Sequence, residues 1–172
     1  IQIKDQQGGY ITGLNRILDN LVVFMTRGVF RLDVSSGDPS LFTLMEAEKN
    51  FGCVAPKGIV NVKDNLFYCA MDNIYQITPD FRFTPITLPI QDIYESTANL
   101  ENSILFYDVK KHRLLCRFGS TKTTYFSYDL EKQSWYRYKF TDSTANSGLT
   151  GPDFFTHNDE LKVYSITVYN KS

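Results

Sequence analysis

The chain has 172 residues and a net charge of −1, with 42 % hydrophobic and 15 % aromatic residues. That length supports one sizeable core, and the near-neutral balance excludes a global field that would draw the whole chain to nucleic acid or acidic lipid. No apolar run approaches the ~20 residues of a membrane helix, and Cys53, Cys69 and Cys116, an odd count without CxxC spacing, read as buried reduced thiols.

In chain order, residues 1–5 alternate apolar and polar, which predicts the outer strand of a preceding unit. The chain starts at Ile1 rather than Met and carries no signal peptide, so it is expected to be a piece of something longer. Residues 10–18 form a strand candidate that runs into Asp19-Asn20. Asp and Asn tolerate the positive φ of tight hairpin turns. Residues 21–25 follow, apolar on both strand faces, then a turn at 26–28, a return strand at 29–34, a loop at 35–39 and an outer strand at 41–45. Both-face apolarity predicts a strand covered on two sides.

The pattern then repeats. Asp64-Asn65 and the apolar run 66–70 echo Asp19-Asn20 and 21–25 at a constant offset of 45 residues. The second unit has strand candidates at 59–62, 66–70, 74–78 and 83–88. Pro89 introduces Ile90, Ile93 and Tyr94 at helical spacing, which predicts a short helix within 90–100. A hairpin at 103–107 and 113–118, followed by strands at 123–130 and 135–140, makes a third unit. Residues 141–152 read as a loop, and 154–156 with 161–169 begin a fourth unit. The leading leucines Leu21, Leu66, Leu114 and Leu161 are spaced 45, 48 and 47 residues apart.

A period of roughly 40–50 residues built of short strands is that of a β-propeller blade. The expected fold is therefore all-β, a β-propeller-like repeat of four-stranded antiparallel blades with one short helix. The repeats lie at about 10–46, 57–90, 102–140 and 153–172, about three and a half blades, too few to close without further chain or a second copy.

No residue constellation carries chemistry, so no catalytic, cofactor-binding or metal residue is assigned. His112 and His157 stand one repeat apart in turns ahead of central strands, with no third ligand at metal spacing. Asp19, Asp64 and Asp159 read as turn residues rather than calcium ligands. Residues 108–140 hold eight basic residues (Lys110, Lys111, Arg113, Arg117, Lys122, Lys132, Arg137 and Lys139) against Asp108, Asp129 and Glu131. In the last strand, Trp135, Arg137 and Lys139 alternate with Tyr136, Tyr138 and Phe140. That basic face is either a solvated blade edge that discourages edge pairing or a contact for DNA or an acidic protein.

The runs Gly9-Tyr10-Ile11-Thr12-Gly13-Leu14, Asp19-Asn20-Leu21-Val22-Val23-Phe24, Gly28-Val29-Phe30-Arg31-Leu32, Gly52-Cys53-Val54-Ala55-Pro56 and Ile59-Val60-Asn61-Val62 belong to one diffuse pattern. Leu66-Phe67, Ile74-Tyr75, Pro89-Ile90 and Tyr128-Asp129 followed by Trp135 extend it. It resembles virion proteins of short-tailed phages, the tail nozzle and the packaged-DNA stabilisation (head-completion) proteins. Two positions depart from that pattern, Asn73 where Gly is usual and Gly58 where a polar residue is usual; positive φ is expected of Asn73.

The resemblance implies a β-propeller subunit of a phage tail or neck ring on the DNA exit path. That subunit would be structural and non-enzymatic, without cofactor or membrane contact. Its partners would be other tail, neck or portal proteins and copies of itself in a homo-oligomeric ring, with DNA passing without sequence-specific binding. The expected location is the virion, with the basic face of 108–140 turned to a neighbouring protein or outward. The alternative is a carbohydrate-binding or glycan-cleaving propeller, as a phage receptor-binding module would be.

Overall fold

The structure is a computed structural model that describes residues 9–120, 124–139, 148–157 and 160–168, the last two segments by backbone pairing alone. Among the described residues it is all-β, with three four-stranded antiparallel sheets, a two-stranded sheet and one short α-helix. Sheet 1 runs in the order β1 (Ile11–Ile17), β2 (Asn20–Met25), β3 (Val29–Asp33), β4 (Thr43–Glu48). Sheet 2 is β5 (Ile59–Val62), β6 (Asn65–Cys69), β7 (Ile74–Ile77), β8 (Phe83–Pro85). Helix α1 (Gln91–Glu95) leads to sheet 3, β9 (Ile104–Asp108), β10 (Arg113–Arg117), β11 (Thr124–Asp129), β12 (Ser134–Lys139). Strands β13 (Gly148–His157) and β14 (Glu160–Val168) pair with each other. No helix among the described residues is long and apolar enough to cross a membrane.

The apolar runs of the sequence become the central strands, and their period-2 alternation divides them between two interfaces. In β6, Leu66 and Tyr68, with Ala70 just beyond the strand, face Val22 and Phe24 of β2. The intervening Phe67 and Cys69 face Leu114 and Cys116 of β10. Sheet 2 is thus buried on both faces between sheets 1 and 3. The Tyr68 ring sits 5.0 Å from Phe24 and 5.7 Å from Tyr75, and its hydroxyl donates to the Phe51 carbonyl at 2.7 Å. The first strands lie side by side, β5 against both β1 and β9. The described sheets form an open stack.

Several local expectations are corrected. The pairs Ile17↔Asn20 and Val62↔Asn65 make Leu18-Asp19 and Lys63-Asp64 the two-residue loops, so positive φ falls on Leu18 (49°) and Lys63 (54°). Asn20 is already in its strand, and its side-chain oxygen accepts from Arg31 Nε at 2.6 Å. Asn73 has no positive φ; it is buried, and its side-chain oxygen accepts from the Thr87 hydroxyl. The outer strand expected at 41–45 begins at Thr43, because Asp38 accepts from the Ser40 amide and Pro39 opens a 3-10 turn through Leu41. The helix spans only Gln91–Glu95, after which the chain runs to Asn99 in the left-handed region and a 3-10 turn at Leu100–Asn102. The loop expected at 141–152 gives way to strand from Gly148, with Pro152 at an irregularity in register between Thr150 and Asp153. A residue without an amide proton is tolerated at such a break in the ladder. Residues 1–5, Lys122, Phe140 and Asp159 lie outside the described residues.

Gly58, where a polar residue is usual in the resembling pattern, has a steric reason. A Cβ there would lie 2.8 Å from Ala55 Cβ and 3.0 Å from Cys69 Sγ. All three thiols are free and buried, and burial pushes Cys53 up to about 11 and raises Cys69 and Cys116 as well. Because the thiolate is the reactive form, titration of the native protein with a thiol reagent at neutral pH is expected to find none of the three, and titration in denaturant to find all of them. Rapid modification of any one in the native state would show that its sheet opens.

Candidate functional site

Among the described residues, two clefts lie along the sheet stack. The larger, of about 590 Å³, is built where the turns of sheets 1 and 2 meet the segment that follows α1. Tyr10, Thr26 and Arg27 come from sheet 1, Asn50 and Val54 from the connector between sheets, Met71 from the β6–β7 turn, and Thr97, Asn99, Leu100 and Glu101 from the segment ahead of β9. Tyr10 and Met71 stand 66 % and 71 % exposed at its edge. Val54 and Leu100 supply further apolar surface, and Arg27 and Glu101 are the charged lining residues among those described.

Its walls are held by backbone packing and by hydrogen bonds. Gly52 lets the connector lie directly on the β2–β3 turn: a Cβ there would approach the Met25 oxygen to 2.2 Å, the Gly28 nitrogen to 2.4 Å and the Arg27 nitrogen to 2.5 Å. The Val54 amide donates to the Cys69 carbonyl at 3.0 Å. The buried Tyr94 hydroxyl donates to the Ala70 carbonyl at 2.7 Å, which ties α1 to the turn that carries Met71. On the far wall the Thr97 hydroxyl donates to Ile93 O at 2.7 Å and the Ser103 amide to Leu100 O at 2.9 Å. Gly119, at φ +57, donates its amide to the Ser103 hydroxyl at 2.8 Å and lies so close to Ala98 that a Cβ would meet its oxygen at 2.2 Å. The site is therefore largely preformed, and its volume falls in the range of small-molecule sites.

The second cleft, of about 290 Å³, lies between the hairpin ends of sheets 2 and 3 and includes Lys63, Gln76, His112 and Glu131. His112 ends the β9–β10 loop at φ 49, and its Nδ1 is 3.0 Å from the Tyr107 hydroxyl. His157 instead ends strand β13, paired with Glu160, so the two histidines do not occupy equivalent turns. Asp19 makes an exposed ion pair with Arg16 at 3.3 Å, and Asp64 sits at a separate hairpin tip.

The described basic residues of 108–140 are divided between the loops and strands of sheet 3. Lys110, Lys111 and Lys132 lie in the two hairpin loops of sheet 3. These loops share a design: Asp108 accepts from the Lys111 amide at 3.2 Å and Asp129 from the Lys132 amide at 2.9 Å, and each loop ends on a positive φ, His112 and Gln133. Arg113 pairs with buried Asp108 at 3.1 Å. On β12, Trp135 packs toward sheet 2 and donates to Ile86 O at 2.8 Å, Arg137 stands over the Phe126 ring at 6.0 Å, and Tyr138 stacks on Tyr125 at 4.8 Å. The strand expected to present a basic face spends its first residues on packing.

The larger cleft leaves little trace in the repeat. The signals are an apolar residue, Met71, in a turn one repeat after Thr26, and Gly52 in the connector between units.

No family model matches the chain, and no curated protein does. Two solved structures share the fold: the extracellular domain of a putative hybrid two-component system and that of a putative one-component system, both from B. thetaiotaomicron. Each is 16 % identical, has a TM-score of 0.52 and covers 91 % of this chain, which spans 22 % of the neighbour's length. These neighbours are extracellular domains of bacterial signalling systems and not phage proteins. The expected role as a structural virion subunit of a tail nozzle or neck ring is corrected on that finding, and the carbohydrate alternative gains no support from it.

The close approach at Gly52 sets the position of one whole wall of the larger cleft. Gly52→Ala is expected to destabilise the fold by about 1–3 kcal/mol, the usual cost of forcing an extra carbon into a filled space. Chemical denaturation checks it, and an unchanged midpoint would mean that the connector does not rest on the turn.

Proposed function

We propose that the three stacked sheets are successive blades of a β-propeller and form a non-enzymatic binding module within a larger, extracellular domain, with the larger cleft as its ligand mouth. The observation that carries this reading is the equivalence of positions across sheets. In each central strand the leading leucine and alternate residues after it face the preceding sheet: Leu66, Tyr68 and Ala70 in one, Leu114, Cys116 and Phe118 in the next. In β6 the residues between them, Phe67 and Cys69, face the following sheet. Inner strands β1, β5 and β9 lie together, and β4, β8 and β12 form the opposite edges, as radial blades require. The setting is taken from the neighbours of like fold. The cleft's described lining has one carboxylate, Glu101, and neither histidine nor cysteine, which favours binding over bond cleavage.

The same equivalence assigns a role to the outer face of sheet 1. Val23 and Met25 stand where Tyr68 and Ala70 stand one repeat later, and with Phe30 and Leu44 they form a small apolar cluster on the side away from sheet 2. Leu14, paired with Val23, is 60 % exposed on that face. In this reading another sheet covers it. The 172-residue chain alone is therefore expected to self-associate in light scattering, and Leu14→Glu to suppress the association without lowering thermal stability. A wild-type chain that stays monomeric at high concentration would overturn the blade reading.

A further inference from the structure

No further inference is drawn: the strongest candidate, the smaller cleft between the hairpin ends of sheets 2 and 3, carries nothing, because its lining holds a cation, a carboxylate and a histidine alike in Lys63, Glu131 and His112, and none of the described buried polar side-chain atoms left without a partner belongs to it, so nothing there selects one class of ligand.

Discussion

The structure depends on one strand serving two interfaces. In β6, the residues at alternate positions cannot share a face, so burying sheet 2 between its neighbours requires both sets to be apolar. Leu66, Tyr68 and Ala70 meet sheet 1, and Phe67 and Cys69 meet sheet 3. Each large side chain so buried contributes roughly 1.5–3 kcal/mol, and a slip of one residue would exchange the two faces. Tyr68 would then lose its packing against Phe24 and its hydrogen bond to Phe51. Register is fixed by this double complementarity as much as by the hairpin turns.

Packing that tight leaves little room for the chain that links one sheet to the next. The connector between sheets 1 and 2 passes over the ends of β2 and β6, and it does so at two glycines. Gly52 rests on the backbone of the Met25–Gly28 turn, and Gly58 on Ala55 and Cys69. Cys53 and Ala55 between them are fully buried. The run Gly52-Cys53-Val54-Ala55-Pro56 is thus explained by volume: small residues where two sheets and a connector meet. The same run is part of the pattern on which the phage resemblance rested, and its physical content is a packing constraint that any stack of this kind imposes. A shared core run therefore speaks to architecture before it speaks to role.

What the sequence made legible follows from the same physics. Central strands were readable because two-sided burial writes an unbroken apolar run, and the 45-residue offset located the second from the first. The short helix was readable from Pro89 and the spacing of Ile90, Ile93 and Tyr94, but its end was not, since the break comes from Asn99 entering the left-handed region. Turn geometry was misassigned by one residue: composition pointed to Asp-Asn, whereas pairing places the strain on Leu18 and Lys63. The two Asp-capped loops of sheet 3 were hidden for a related reason. Asp108 and Asp129 end strands, and only their side-chain bonds to amides three residues on reveal the shared loop. Outer strands such as β4 were shifted because edge positions are half-exposed and carry no strong alternation.

The larger cleft leaves no mark in the repeat pattern because its residues are not repeated. Positions that recur across units are those that pack or turn, and they recur because every sheet must solve the same packing problem. A site placed at one end of the stack draws Tyr10 from the start of one strand, Met71 from a turn and Glu101 from a segment with no counterpart in the first two units. Difference between repeats, rather than likeness, marks it. The interruption between β8 and β9, which brings α1 and the 3-10 turn at Leu100–Asn102, breaks the strict strand-to-strand rhythm. It is anchored by Tyr94 to Ala70 and by Gly119 to Ser103. An insertion fixed that firmly at both ends builds a wall rather than a link, and packing alone does not require the cleft that the wall encloses.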